Sequence, residues 1–154
     1  MTSCFFIGHR EASEELLPVL TQTIEKHISA YGVTEFFVGR YGGFDSLAAR
    51  AVISLKQKYP QIILSLLIPY HPAERPVETP PGFDNTYYPF GMEKVPRRLA
   101  IVQANRYMIN HVDYLIAYAW HPASNATDLV DYAEKKRIRI TNIANAKRLY
   151  RIED

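Results

Sequence analysis

Four near-continuous apolar runs set the limits on this chain: Cys4 to Ile7, Glu35 to Gly39, Ile62 to Ile68 and Val112 to Ala119. A weaker fifth covers Arg137 to Ile143. A strand with one wet face alternates apolar and polar residues, whereas a strand covered on both faces has no polar side to show. The runs therefore predict buried parallel strands. Helical spacings lie between them. Leu17, Leu20, Ile24, Ile28 and Tyr31 form one apolar stripe, with Pro18 near its start and Gly32 beyond its end, where a left-handed residue is cheap. Phe44, Leu47, Ala48, Ala51, Val52 and Leu55 form a second, closed by Tyr59-Pro60. Leu99, Val102 and Ile109 behind Pro96 mark a third. Thr127 to Lys136 marks a fourth, with Asp128 near its start and Lys135 and Lys136 near its end, as the helix dipole favours.

Strand and helix in alternation predict an α/β fold: a Rossmann-like, doubly wound, mainly parallel five-stranded sheet with helices on both faces. The 154 residues suit one domain spanning 1–154, and neither a repeat nor a linker interrupts them. In such sheets ligands bind outside the carboxyl ends of the strands. One segment breaks the alternation. Pro69 to Gly91 carries Pro69, Pro72, Pro76, Pro80, Pro81 and Pro89 among Tyr70, Phe83, Tyr87, Tyr88 and Phe90. A long proline-rich loop with that many aromatics predicts a lid or ligand wall.

Composition closes off several classes. A formal net charge of +2 is too mild to argue for nucleic acid from bulk electrostatics, yet permits an anionic ligand. The lone Cys4 cannot form an internal disulfide, which fits a reducing, cytoplasmic setting. The longest apolar run, Ile62 to Ile68, is far short of the ~18 residues that span a bilayer, so no membrane association is expected. His9, His27, His71, His111 and His121 lack metal-ligand spacing, so no metal site is predicted. No cofactor motif is present: neither the G-x-G-x-x-G fingerprint nor a Gly-Lys-Ser/Thr phosphate loop occurs.

What remains is a set of small, polar turns at strand ends. The first strand runs into Gly8-His9-Arg10, where glycine lets amides approach a ligand and arginine can fork onto phosphate oxygens. The second ends in Gly39-Arg40-Tyr41-Gly42-Gly43, and a helix follows at once, an arrangement that presents amides to an anion. Asp45 beyond it reads equally as the helix N-cap or as an acceptor for a ribose or base donor. After the fourth strand, Ser124, Asn125 and Thr127 stand where they either cap the next helix or meet a phosphate. The ligand-binding set predicted from these turns is Gly8, His9, Arg10, Gly39, Arg40, Gly42, Gly43, Asp45, Ser124, Asn125 and Thr127. Arg97, Arg98 and Arg106 read as a solvated helix face.

Phe6 to Arg10, Gly39 to Ala49, Gln103 to Asn110 and Asp113 to Thr127 together resemble the SLOG superfamily, which includes the DNA-processing protein A (Smf) domain and the LOG cytokinin-activating phosphoribohydrolases. The branch they resemble most is the YpsA-type bacterial proteins. The resemblance implies a Rossmann-like fold that binds nucleotides, nucleotide-derived signals or nucleic acid. By that likeness the Gly39 to Asp45 loop makes phosphate contacts and the Ser124-Asn125 loop is a second ligand loop. One departure stands out. The LOG signature P-G-G-x-G-T-x-x-E reads here Pro122-Ala-Ser-Asn-Ala-Thr-Asp-Leu-Val130, with Val130 in the place of the catalytic glutamate. Three functions follow, in order of expectation. The first is binding or sensing a nucleotide or nucleotide-derived ligand. The second is a nucleoside monophosphate N-glycosidase that uses another carboxylate, with Glu93, Asp113, Asp128 and Asp131 as the acids to be placed. The third is binding of single-stranded nucleic acid through Tyr70, Tyr87 or Tyr88 and Arg97 and Arg98. Apolar and aromatic helix surface also permits a homo-oligomer.

Overall fold

A computed structural model describes residues 1–145; the remainder of the predicted 1–154 domain lies outside the described residues. Six strands form one sheet: β1 (Ser3–Gly8), β2 (Glu35–Val38), β3 (Ile63–Leu67), β4 (Asn85–Tyr87), β5 (Tyr114–Tyr118) and β6 (Arg139–Asn142). Their spatial order is β4-β3-β2-β1-β5-β6, and every neighbouring pair is parallel. The chain thus winds outward from β1 through β4, returns to the other side of β1, and continues through β5 to β6. The direction reverses between β1 and β5, which is where a doubly wound sheet leaves a crevice at its carboxyl edge.

Burial on both faces follows from the two-residue period of the strands. Cys4, Phe6, Phe36, Val38, Leu64, Ile116 and Tyr118 point to one face, where α1 (Leu17–Ser29) and α2 (Gly43–Leu55) cover them. Phe5, Ile7, Phe37, Leu67, Leu115 and Ala117 point to the other, under α3 (Ala100–His111) and α4 (Asn125–Lys135). Phe5, Phe6 and Phe36 are each at most 1% exposed. Burying a side chain of that size stabilises the fold by about 1.5–3 kcal/mol.

Two expectations needed adjustment. The spacing of Leu99, Val102 and Ile109 predicts the third helix, but its buried stripe is Ala100, Ala104, Met108 and Ile109, while Leu99 is 38% exposed. Small alanines, whose signal in a sequence is faint, let α3 lie close to the sheet. The sheet also has six strands rather than five, because the proline-rich segment contributes β4. That strand is short and sits at the edge, so it lacks the apolar run that betrays a central strand. It is pinned at several points: Asp84 N–H donates to Leu64 O at 2.8 Å, and Ile68 N–H donates to Tyr87 O at 2.9 Å. The Asp84 carboxylate in turn accepts from Leu64 N–H at 2.8 Å and from Lys56 Nζ at 2.6 Å. Among the described residues, no helix is long and apolar enough to cross a membrane.

Candidate functional site

A cleft of about 300 Å³ opens at the carboxyl edge of β1, at the point where strand order reverses. The ends of β1, β2 and β3 form its floor through Gly8, Gly39 and Leu67; α3 and the first turn of α4 form its walls. Seven of the residues predicted from sequence meet there: Gly8, His9, Arg10, Gly39, Asp45, Ser124 and Asn125. Arg40 and Gly42 line an adjoining hollow of about 300 Å³, with Gly39 and Asp45 shared between the two. Gly43 and Thr127 line neither.

The glycines are required by close packing. A Cβ on Gly8 would lie 2.3 Å from the Phe44 ring, and one on Gly43 would lie 2.6 Å from the Arg10 carbonyl oxygen. Gly43 N–H donates to that same oxygen at 2.7 Å, and Phe44 N–H donates to His9 O at 3.3 Å. The Gly39 to Gly43 loop therefore locks the β1 turn against the start of α2, and the Gly43 amide is occupied. Gly42, not Asp45, is the N-cap of α2. Asp45 stands three residues in, and its carboxylate turns back to accept from Tyr41 N–H at 3.3 Å. Burial raises the Asp45 carboxyl from 3.8 to about 6, partly countered by that amide.

His9 ties the two halves of the site together. Its Nε2 accepts from Trp120 N–H at 3.0 Å and His121 N–H at 3.3 Å, while Tyr118 and Trp120 pack edge-on against the ring. That geometry assigns the ring proton to Nδ1. Burial, and secondarily His121, hold the imidazole below its ordinary pKa, in keeping with a neutral ring that accepts. The turn it holds, Trp120 to Ser124, leads into α4. There Ser124 is the N-cap and accepts from Thr127 N–H at 3.1 Å, while Ser124 Oγ and Thr127 Oγ1 both reach His121 O, at 2.9 and 2.7 Å. Thr127 is thus spent on capping. The first-turn amides of Asn125 and Ala126 have no intrahelical acceptor to reach, and both residues line the cleft. Ala123, before the cap, holds φ at 61°, a left-handed conformation that costs an alanine about 1–2 kcal/mol.

Other cleft residues were not predicted. Tyr41 sits at the mouth beside Arg40, Tyr70 and Arg75, and the Arg75 guanidinium lies over the Tyr70 ring at 4.1 Å. Asn105 enters from α3. It lies in the Gln103 to Asn110 segment, where nothing local singles it out from the other polar residues. Of the acids left to be placed, Asp128 and Asp131 are exposed on α4 outside the cleft, Glu93 lies in another groove, and Asp113 binds Ser3 N–H at the opposite edge of the sheet. Val130 is buried on the sheet-facing side of α4. Asp45 is the one carboxylate among the cleft-lining residues.

No family model and no curated protein matches the chain. Solved structures do. DNA processing protein A from Streptococcus pneumoniae superimposes with a TM-score of 0.66 at 15% identity, over 90% of this chain and 49% of that one. DNA processing protein A from Helicobacter pylori, described for its mode of binding single-stranded DNA, superimposes with a TM-score of 0.60 at 15% identity, over 90% of this chain and 63% of that one. This chain thus spans about half of the first protein and under two-thirds of the second. Its α/β fold is similar to the fold found in DNA processing protein A.

Proposed function

We propose that this domain binds single-stranded nucleic acid, seating one nucleotide in the cleft where strand order reverses. The observation that carries this reading is the cleft's mouth. Arg10 and Tyr41 line it, and Arg40, Tyr70 and Arg75 lie beside Tyr41. Guanidinium groups fork onto phosphate oxygens, and the exposed Tyr41 ring gives a base a face to stack on. In the cleft itself, the open amides of Asn125 and Ala126 at the start of α4 would face the phosphate. The fold shared with proteins of DNA processing supports the same reading.

A second reading, a free nucleotide or nucleotide-derived ligand, is favoured by the cleft's volume, which suits one small molecule. An N-glycosidase would have Asp45 as its one cleft carboxylate, with its raised pKa suited to proton transfer.

Fluorescence anisotropy with a labelled single-stranded oligonucleotide tests the proposal. Binding should weaken linearly in log K against log salt, and Arg10→Ala should cost about tenfold and flatten that slope by about one. Salt-insensitive or absent binding would overturn it. Full displacement of the oligonucleotide by a free nucleoside monophosphate at equal nucleotide concentration would favour the second reading.

A further inference from the structure

Across Pro69 from the cleft lies a second groove that the phosphate-binding residues do not explain. It consists of two contiguous hollows of about 340 and 530 Å³, which share His71, Tyr88 and Glu93. The wall is built by the proline-rich segment that β4 pins to the sheet. His71 Nδ1 accepts from Ala73 N–H at 3.0 Å, and its ring meets Tyr88 edge-on at 5.3 Å, so this pair is held in place. Phe90, in the same groove, is 88% exposed. A phenylalanine ring left this open on a pinned segment forgoes the stabilisation that burial would bring.

The charge pattern narrows what can cover it. Glu74 meets Arg97 at 3.9 Å, whereas Glu93 has no cation partner among the described residues. Both carboxylates lie near enough to Tyr88 to raise its phenol, after burial. A phosphate would be repelled from Glu93, while a flat aromatic group bearing an N–H donor would satisfy ring and carboxylate together. We propose that this groove is a base-reading subsite, which stacks the nucleobase next to the one in the cleft and selects bases carrying an exocyclic amino group through Glu93. Cytosine offers its N4 amino group to a carboxylate without obstruction. Thymine offers only N3–H, flanked by two carbonyl oxygens that the carboxylate repels.

This subsite rests on the strand-binding reading, and the experiment separates the two. Anisotropy is measured on the full chain with short labelled homopolymers of deoxycytidine and of thymidine. The cytidine strand should bind about tenfold more tightly. Glu93→Gln should abolish the preference by weakening the cytidine strand and strengthening the thymidine strand, because the amide donates to O4. Phe90→Ala should weaken both. Equal binding of the two strands to the unmodified protein, or a preference that survives Glu93→Gln, would overturn the subsite while leaving strand binding intact. Loss of the Arg10→Ala effect with the preference retained would overturn the cleft reading alone. Failure of both strands to bind would overturn both.

Discussion

At the scale of single residues, the site is assembled from side chains held in unfavourable states. Asp45 is the clearest. Its carboxyl is raised by burial to about 6, so the ionised form at neutral pH is costly to the folded chain. Between its ordinary value of 3.8 and about 6 the folded protein binds more protons here than the unfolded one, so this group's penalty shrinks as pH falls through that window. Asp45→Asn keeps an oxygen to accept from Tyr41 N–H and removes the charge. It should therefore raise the urea midpoint near neutrality, with the gain shrinking toward pH ~4. An unchanged midpoint at neutral pH would mean that solvent already relieves the carboxylate. Ala123 tells a related story: its φ of 61° is a conformation that glycine adopts readily and alanine does not. Sequence registers the residue, but not the conformation.

At the scale of elements, α1 carries a group that the cleft does not use. His27 is 1% exposed, donates from Nδ1 to Thr23 O at 2.7 Å, and has no partner for Nε2. Its ring is enclosed edge-on by Tyr31 and Tyr114. Burial, and secondarily Lys26, lower its pKa below 6.5, while the bond to Thr23 raises it. Because the folded pKa lies below the unfolded one, the stability this group contributes is present above pH ~6.5 and is lost as pH falls toward the folded value. His27→Phe should remove that loss, so thermal unfolding across pH ~7 to ~5 should decline less steeply in the variant. A parallel decline in both proteins would exclude His27 as its source. The trend is opposite in sign to that of Asp45, so the two variants separate the contributions. Elements also decide how the site holds together: β1 reaches the β5–α4 turn through His9, and reaches the β2–α2 loop through the Gly43 amide. Three turns far apart in sequence thus share one rigid base.

For the whole molecule, the cleft is a consequence of topology, and the proposed binding there would be coupled to folding. A strand that binds only the folded domain should stabilise it by about 2.7 kcal/mol at a hundred times its Kd. For a domain of this size, that corresponds to a rise in Tm of roughly 5–10 °C. A thermal scan with and without oligonucleotide checks this, and Arg10→Ala should reduce the rise. The fold class was legible because β1, β2, β3 and β5 are buried on both faces and so cannot alternate; no tertiary information is needed to see that. Glycines after β1 and β2 and the polar turn before α4 likewise marked loops that the structure brings to one edge of the sheet. β4 was not legible: three edge residues, Asn85 to Tyr87, become a strand only because β3 offers them hydrogen-bonding partners. Nor were Tyr41, Asn105 and the groove around Glu93, since each depends on which helix or loop lies across the sheet edge. Local pattern determined the central strands and the helices, because burial on one or two faces leaves its period in the sequence. Which of their ends share a cleft was decided only by the tertiary structure, because the reversal of strand order between β1 and β5 brings together residues more than a hundred positions apart, and nothing local encodes that meeting.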